Sequence, residues 1–215
     1  MYKYPNGRIL IFAKAPVAGE VKTRLQTILT ADQCAHLQRK LIERTLDTAI
    51  NSDICPIELW CSVNTTHPFF SQCRDRYAIP LASQHGDNLG ERMFTALQQT
   101  LQSADFAIVI GCDCVALNAT HLEQAGDSLA QQHYSVVLAP AEDGGYALIG
   151  ARQADQQLFN NVDWGTDTVL ESTRQNLAAM DCQWHELATL WDIDRPSDLQ
   201  RLRKRNHFGL DLSDL

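Results

Sequence analysis

No run of the 215-residue chain is apolar for long enough to span a bilayer. Positive charge is also scarce, with 18 Lys and Arg against 26 Asp and Glu and a net charge of −8. General binding to nucleic acid or to an anionic membrane needs a clustered basic surface, so no nucleic-acid or membrane partner is expected. The seven cysteines are odd in number and nowhere form Cys-x-x-Cys, which argues against both a disulfide framework and a structural zinc site. They read as reduced thiols packed in an interior. There is no His-Glu-x-x-His, no Gly-x-Ser-x-Gly elbow, no Walker loop and no Gly-x-Gly-x-x-Gly. Zinc peptidase, serine hydrolase, P-loop and dinucleotide-binding readings fall with them. Repeats, low-complexity tracts and linker-like stretches are missing too, so one domain over 1–215 is expected. The segment Met1–Arg8 lacks the apolar core and small-residue cleavage site of a signal peptide, and a cytoplasmic protein is the expectation.

What is present is an alternation of strand-like and helix-like segments. Phe106-Ala-Ile-Val-Ile-Gly-Cys-Asp-Cys114 is a short apolar run closed by a glycine and one carboxylate, the pattern of a strand buried on both faces of a parallel sheet. Arg8–Ala13, Pro56–Cys61 and Ser135–Pro140 read likewise, and Ile79–Leu81 reads as a weaker strand placed at an edge by Pro80. Thr30-Ala-Asp-Gln33 is a capping-box pattern, followed by Cys34, Leu37, Leu41, Thr45 and Ala49 at helical spacing. Further helices are expected from His67 to Tyr77, after Gly86 on Leu89, Met93, Leu97 and Leu101, from Asn118 to Gln132, from Thr166 to Ala179, and from Pro196. After Pro140 a strand follows a turn with no helix between, which predicts a reversal and one antiparallel member; a last strand is expected near Cys182–Leu187. The alternation predicts an α/β fold, a three-layer α/β/α sandwich on a mostly parallel mixed sheet.

In an open α/β sheet the ligand site lies beyond the carboxyl ends of the strands. Four stretches fall there. Lys14-Ala-Pro-Val-Ala-Gly-Glu-Val-Lys-Thr-Arg-Leu25 carries Lys14, Lys22 and Arg24 around Gly19, with Arg8 upstream and only Glu20 opposing them. It is either a phosphate-holding loop, with cations and backbone N–H groups acting together, or a solvated basic loop. Asp113 is either a hard-oxygen ligand for magnesium or manganese or the cap of the next helix. Cys112 and Cys114 point away from it by strand alternation and read as packing residues. Glu142-Asp-Gly-Gly-Tyr146 joins two carboxylates to two glycines at a strand end, giving backbone access and general-base capacity in one turn, the alternative being a tight turn with solvent-facing acids. Asp192 and Asp194 are expected on one strand face, Asp194 either sharing a metal with Asp113 or capping the final helix. Trp164, surrounded by loop residues, is the pocket-wall candidate among the four tryptophans.

Phe12–Leu25, Gly86-Asp-Asn-Leu-Gly-Glu-Arg-Met93, Ile110-Gly-Cys-Asp-Cys114, Ala139–Gly150 and Asp192-Ile-Asp-Arg-Pro-Ser-Asp-Leu199, taken in this order, resemble the DUF2064 group of bacterial GT-A-type glycosyltransferases, also labelled arsenosugar-biosynthesis-type. The chain is more distantly similar to molybdenum-cofactor and phospholactate nucleotidyltransferases. Val115 and Ala18 stand where proline is usual in the family, and neither change removes a charged group. The resemblance implies the nucleotide-diphospho-sugar transferase fold and a metal-dependent glycosyl transfer from a nucleotide-sugar donor to a small-molecule acceptor. Its nearest alternatives are a nucleotidyltransferase releasing pyrophosphate and a non-catalytic nucleotide-binding domain. By the same resemblance Lys14, Gly19, Lys22, Arg24, Asp87 and Arg92 bind nucleotide, and Asp113 and Asp194 hold Mg2+ or Mn2+. Asp143 acts on the acceptor, and Gly144, Gly145 and Tyr146 form the acceptor-side turn, with Trp164 as its wall.

Overall fold

The computed structural model describes residues 1–62 and 65–204. Seven strands form one sheet: β1 (Gly7–Lys14), β2 (Ile57–Ser62), β3 (Leu81–Ser83), β4 (Phe106–Gly111), β5 (Val136–Pro140), β6 (Tyr146–Ala151) and β7 (Trp184–Glu186), in the order β3-β2-β1-β4-β6-β5-β7. All pairings are parallel except those of β6, which runs antiparallel to both β4 and β5. The helices are α1 (Ala31–Asn51), α2 (Pro68–Tyr77), α3 (Leu89–Thr100), α4 (Ala119–Ala130), α5 (Val169–Ala179) and α6 (Pro196–Lys204). None of the described helices is long and apolar enough to cross a membrane.

Alternation along the strands divides the core in two. Ile9 and Ile11 of β1 join Ile108 and Ile110 of β4 beneath α1, α2 and α4, whose Leu46, Phe70 and Leu122 are in the same cluster. Leu10, Phe12 and Val109 face the other way, onto Met93 and Leu97 of α3 and Leu177 of α5. This is the expected three-layer sandwich. A third cluster, with Leu25, Leu37, Trp191 and Leu199, seats α6 against α1 beyond the sheet edge.

Local signals act where the sequence places them. Thr30 accepts from the Gln33 backbone while the Gln33 side chain accepts from Thr30 N–H, a complete capping box that fixes the start of α1. The stretch Ala141–Gly145 is too short for a crossover, so β5 must return as the hairpin partner β6. Gly144 sits at φ +89° in that turn, and a Cβ there would lie 2.1 Å from the Asp167 carbonyl oxygen. Burial pushes the Cys114 thiol up to about 11 and that of Cys61 to about 12, as expected for inert packing residues.

Three expectations are corrected. Leu89 is 45% exposed and leaves the apolar stripe of α3 for the site described below. Asp192 and Asp194 lie on no strand, because pairing beside β5 is reduced there to one bridge between Ala141 and Leu190. Arg8 is at the far end of β1 from the basic loop, facing Glu58 at 3.9 Å.

Candidate functional site

The carboxyl ends of β1 and β4 are neighbours, so the basic loop and Asp113 meet at one edge of the sheet. Lys14 donates to the Glu20 carbonyl at 2.7 Å and thereby closes the loop on itself. Gly19, at φ +85°, gives the turn a conformation that side-chain-bearing residues rarely adopt. Lys22 also has a left-handed backbone, φ 50°, just before a short 3-10 turn at Thr23–Thr27. That geometry sends its side chain inward. The ammonium donates to the Ile193 carbonyl at 2.6 Å and to Asp113 Oδ1 at 2.8 Å, with the lysine side chain 3% exposed and the aspartate 49%. Ile193 N–H in turn donates to the Asp113 carbonyl at 2.9 Å. One buried cation thus ties together the first loop, the tip of β4 and the segment before α6.

Two cavities open around this junction. The first, of about 510 Å³, has Lys14, Lys22, Arg24 and Arg92 on its walls, opposed by Glu20, Asp113 and Asp194. Gly111 forms part of its floor, and a Cβ there would meet nothing, so a ligand can approach the strand-end backbone. Leu89 supplies an apolar edge. The second cavity, of about 570 Å³, is acidic, with Glu142, Asp143, Asp167, Asp192, Asp194 and Asp198 against Arg24 and Arg195. Burial, with the Asp143 and Asp113 charges adding to it, raises the Asp192 carboxyl to about 6.

The alternative readings of the sequence separate here. Asn118, not Asp113, caps α4, which leaves the Asp113 carboxylate to Lys22 and the first cavity. Asp194 does not cap α6 through its side chain: Asp198 reaches back to the backbone N–H groups of Asp194 and Arg195, while the Asp194 carboxylate accepts from Arg24. Asp143 does make the tight turn, accepting from Gly145 N–H at 2.9 Å, and its residue also lines the second cavity.

The structure brings Lys14, Lys22, Arg24, Arg92, Asp113 and Asp194 to the first cavity and Asp143 to the second. Gly19 shapes the loop without lining either, and Asp87 is exposed, its backbone N–H donating to Glu91. Gly144 and Gly145 shape the turn behind Asp143 rather than line its cavity. Tyr146 and Trp164 are not brought to that cavity at all. Their rings meet edge to face, 6.5 Å apart, on the side of the sheet that carries α3 and α5. Trp164 packs on Gly90, where a Cβ would come within 2.5 Å of the indole, and borders a separate 200 Å³ hollow with Phe94 and Phe159. Gly90→Ala is expected to cost about 1–2 kcal/mol, the overpacking penalty outweighing the helix-propensity gain, as read by denaturant unfolding. A neutral result would mean that the indole moves freely.

Asp192 is the functional candidate missed as a site residue. The signal was its two-residue spacing from Asp194, but spacing does not say which of two acids keeps its carboxylate free. Among the described residues no three His, Cys, Asp or Glu side chains are grouped to hold a metal ion. Asp113 and Asp192 are close enough for one charge to raise the other's pKa, and they offer the hard oxygens that magnesium and manganese take. Such ions commonly use one or two carboxylates and complete their shell with substrate phosphates and water, so this donor set fits one as part of a ligand complex.

Residues 45–166 match the family model described as "Uncharacterized protein conserved in bacteria (DUF2064)". Among curated proteins none matches the sequence significantly. Among solved structures, a provisionally named nucleotide-diphospho-sugar transferase from Desulfovibrio desulfuricans G20 superposes with a TM-score of 0.86 at 26% identity, over 95% of this chain and 89% of that one. The 4-diphosphocytidyl-2C-methyl-D-erythritol synthase of Anaerococcus prevotii DSM 20548 gives 0.62 at 11% identity, over 94% and 98% of the two chains. The inositol-1-phosphate CTP transferase of T. maritima gives 0.59 at 10%, over 98% and 100%. The last two likenesses are of fold alone. On the family match and the shared architecture, the chain belongs to the DUF2064 family and has the nucleotide-diphospho-sugar transferase fold.

Proposed function

We propose that the protein transfers a glycosyl group from a nucleotide-diphospho-sugar to a small-molecule acceptor with the help of a divalent cation. The observation that carries this reading is the pair of cavities, one cationic and one acidic, that meet at Arg24 and Asp194 at the carboxyl edge of the sheet. A diphosphate needs cations and approachable backbone, and the first cavity supplies both through Lys14, Arg24, Arg92 and the bare Gly111. The name of the Desulfovibrio neighbour points to the same class of donor.

Within this reading Lys22 holds the Asp113 carboxylate in place from behind, and Arg24 and Arg92 counter the charge on the donor phosphates. Asp113, with Asp192 or Asp194, would hold Mg2+ or Mn2+, which supplies positive charge against the departing nucleoside diphosphate. Asp143, anchored by Gly145 N–H, receives the proton of the acceptor hydroxyl. The nucleotidyltransferase reading requires a phosphorylated acceptor beside the same edge. Asp143, Asp167 and Asp192 repel such a group, Glu142 being paired with Arg201, and a neutral hydroxylated acceptor suits the second cavity better.

A melting screen of nucleoside-diphosphate sugars and nucleoside triphosphates, each with and without manganese, tests the proposal. One sugar nucleotide at about a hundred times its Kd is expected to raise Tm by roughly 5–10 °C in the presence of metal. A stronger response to a triphosphate would transfer the assignment to nucleotidyl transfer. No response to any of them would remove the donor site.

A further inference from the structure

Among the described residues only Arg24 and Asp194 line both cavities, and these two are hydrogen-bonded to each other. Their ion pair is therefore the wall between a cationic space and an acidic one. It is also a wall with little holding it. The Arg24 side chain is 59% exposed and that of Asp194 33%, and an ion pair so open to water is worth little. Arg24 feels Asp143 and Asp192 across the second cavity as well as its direct partner Asp194. Its guanidinium, a planar fork, matches phosphate as readily as carboxylate.

We infer that the Arg24–Asp194 pair is a removable partition, which a diphosphate entering the first cavity opens by taking Arg24 for itself. This rests on the donor reading given above. The exchange is one of partners, with no covalent step: Arg24 leaves one carboxylate for two phosphate groups, and Asp194 is released. Two consequences follow. The cavities become one continuous groove, so donor and acceptor can touch only after the donor is seated. The freed Asp194 carboxylate adds negative charge at the boundary, where a metal or an acceptor hydroxyl is then needed. Arg24 in this scheme binds the donor and, by leaving Asp194, orders the two substrates.

The test is a double-mutant cycle on binding of inorganic pyrophosphate, measured by calorimetry in metal-free buffer with wild-type protein, Arg24→Gln, Asp194→Asn and the double variant. Both side chains are outside the buried clusters, and melting curves of the four proteins establish that each is folded. Asp194→Asn is expected to tighten pyrophosphate about fivefold, because Arg24 no longer has to be won from a competitor. Arg24→Gln is expected to weaken it by a similar factor, and adding Asp194→Asn to that background should change affinity less than about twofold. An equal gain from Asp194→Asn in both backgrounds would mean that removal of a negative charge acts at a distance, and the partition would be wrong while the anion site stood. Failure of the wild-type protein to bind pyrophosphate at all would overturn the anion site and the partition together.

Discussion

Replacing Lys22 by methionine is expected to lower the unfolding free energy by about 2–3 kcal/mol, below the range for breaking a fully buried ion pair because the Asp113 left behind is half exposed. Methionine keeps the length and apolar stem of the side chain, so the loss isolates the ammonium. Without it the Ile193 carbonyl loses a 2.6 Å donor, and the first loop, the β4 tip and the segment before α6 lose their common cation. For a chain of this size that corresponds to a Tm lower by roughly 4–12 °C. Asp113→Asn should add a chemical loss to a structural one. The amide oxygen can still accept from Lys22 Nζ, but it no longer neutralises a buried ammonium, so stability should fall by about 1–3 kcal/mol, while donor turnover falls by roughly a hundredfold or more through loss of a charged ligand. Denaturant unfolding and a metal-dependent donor assay on both variants separate structure from chemistry. A Lys22→Met protein of wild-type stability would show that the ammonium is no strut, and an active Asp113→Asn protein would remove Asp113 from the chemistry.

Asp192→Asn is expected to stabilise the protein at neutral pH by about 2 kcal/mol at most, a figure already reduced for the partial exposure of the group. The sign follows from the direction of the shift. Burial first, then Asp143 and Asp113, raise the folded-state carboxyl to about 6 from an ordinary 3.8. A raised pKa means that the folded state binds the proton more tightly than the unfolded one. Its contribution is full below about pH 4 and is lost as pH rises through about 6. Above that window the wild-type protein carries an ionised carboxylate in a site that disfavours it, and asparagine removes the penalty. The gain should therefore be present at pH 8 and absent near pH 4, as read by unfolding curves at the two values. A gain of equal size at both would trace to packing instead of charge. Retaining an acid at a cost in stability is the pattern expected of a group kept for function.

The sheet, its order of elements and the position of Asp113 were legible because they rest on local patterns. The apolar run 106–110 ends at a glycine, Thr30 and Gln33 form their capping box within one turn, and the hairpin at 141–145 follows from its length. Side-chain destinations were less so. Lys22 is buried because of a left-handed backbone and a carbonyl 171 residues away, neither of which has a period in sequence. Arg24 and Asp194 are 170 residues apart and were read as ligands of different things. Tyr146 was assigned to the acceptor side, but β6 carries an irregularity where Pro140 pairs with Tyr146 and Ala139 with Leu148, skipping Ala147. One extra residue exchanges the faces of a strand, and so Tyr146 joins Ile149 on the α3 and α5 side.

The tie from Lys22 to Ile193 also has a meaning in time. Chains are made from the amino end at a limited rate, and domains assemble as their parts emerge. β1, its loop and β4 can pair once residue 111 is available, yet the carbonyl that receives the Lys22 ammonium is made some eighty residues later. Until then the Lys22 ammonium lacks its carbonyl acceptor. A nascent chain of this protein therefore pairs β1 with β4 well before its anion-binding site is complete, and competence for ligand waits for residue 193.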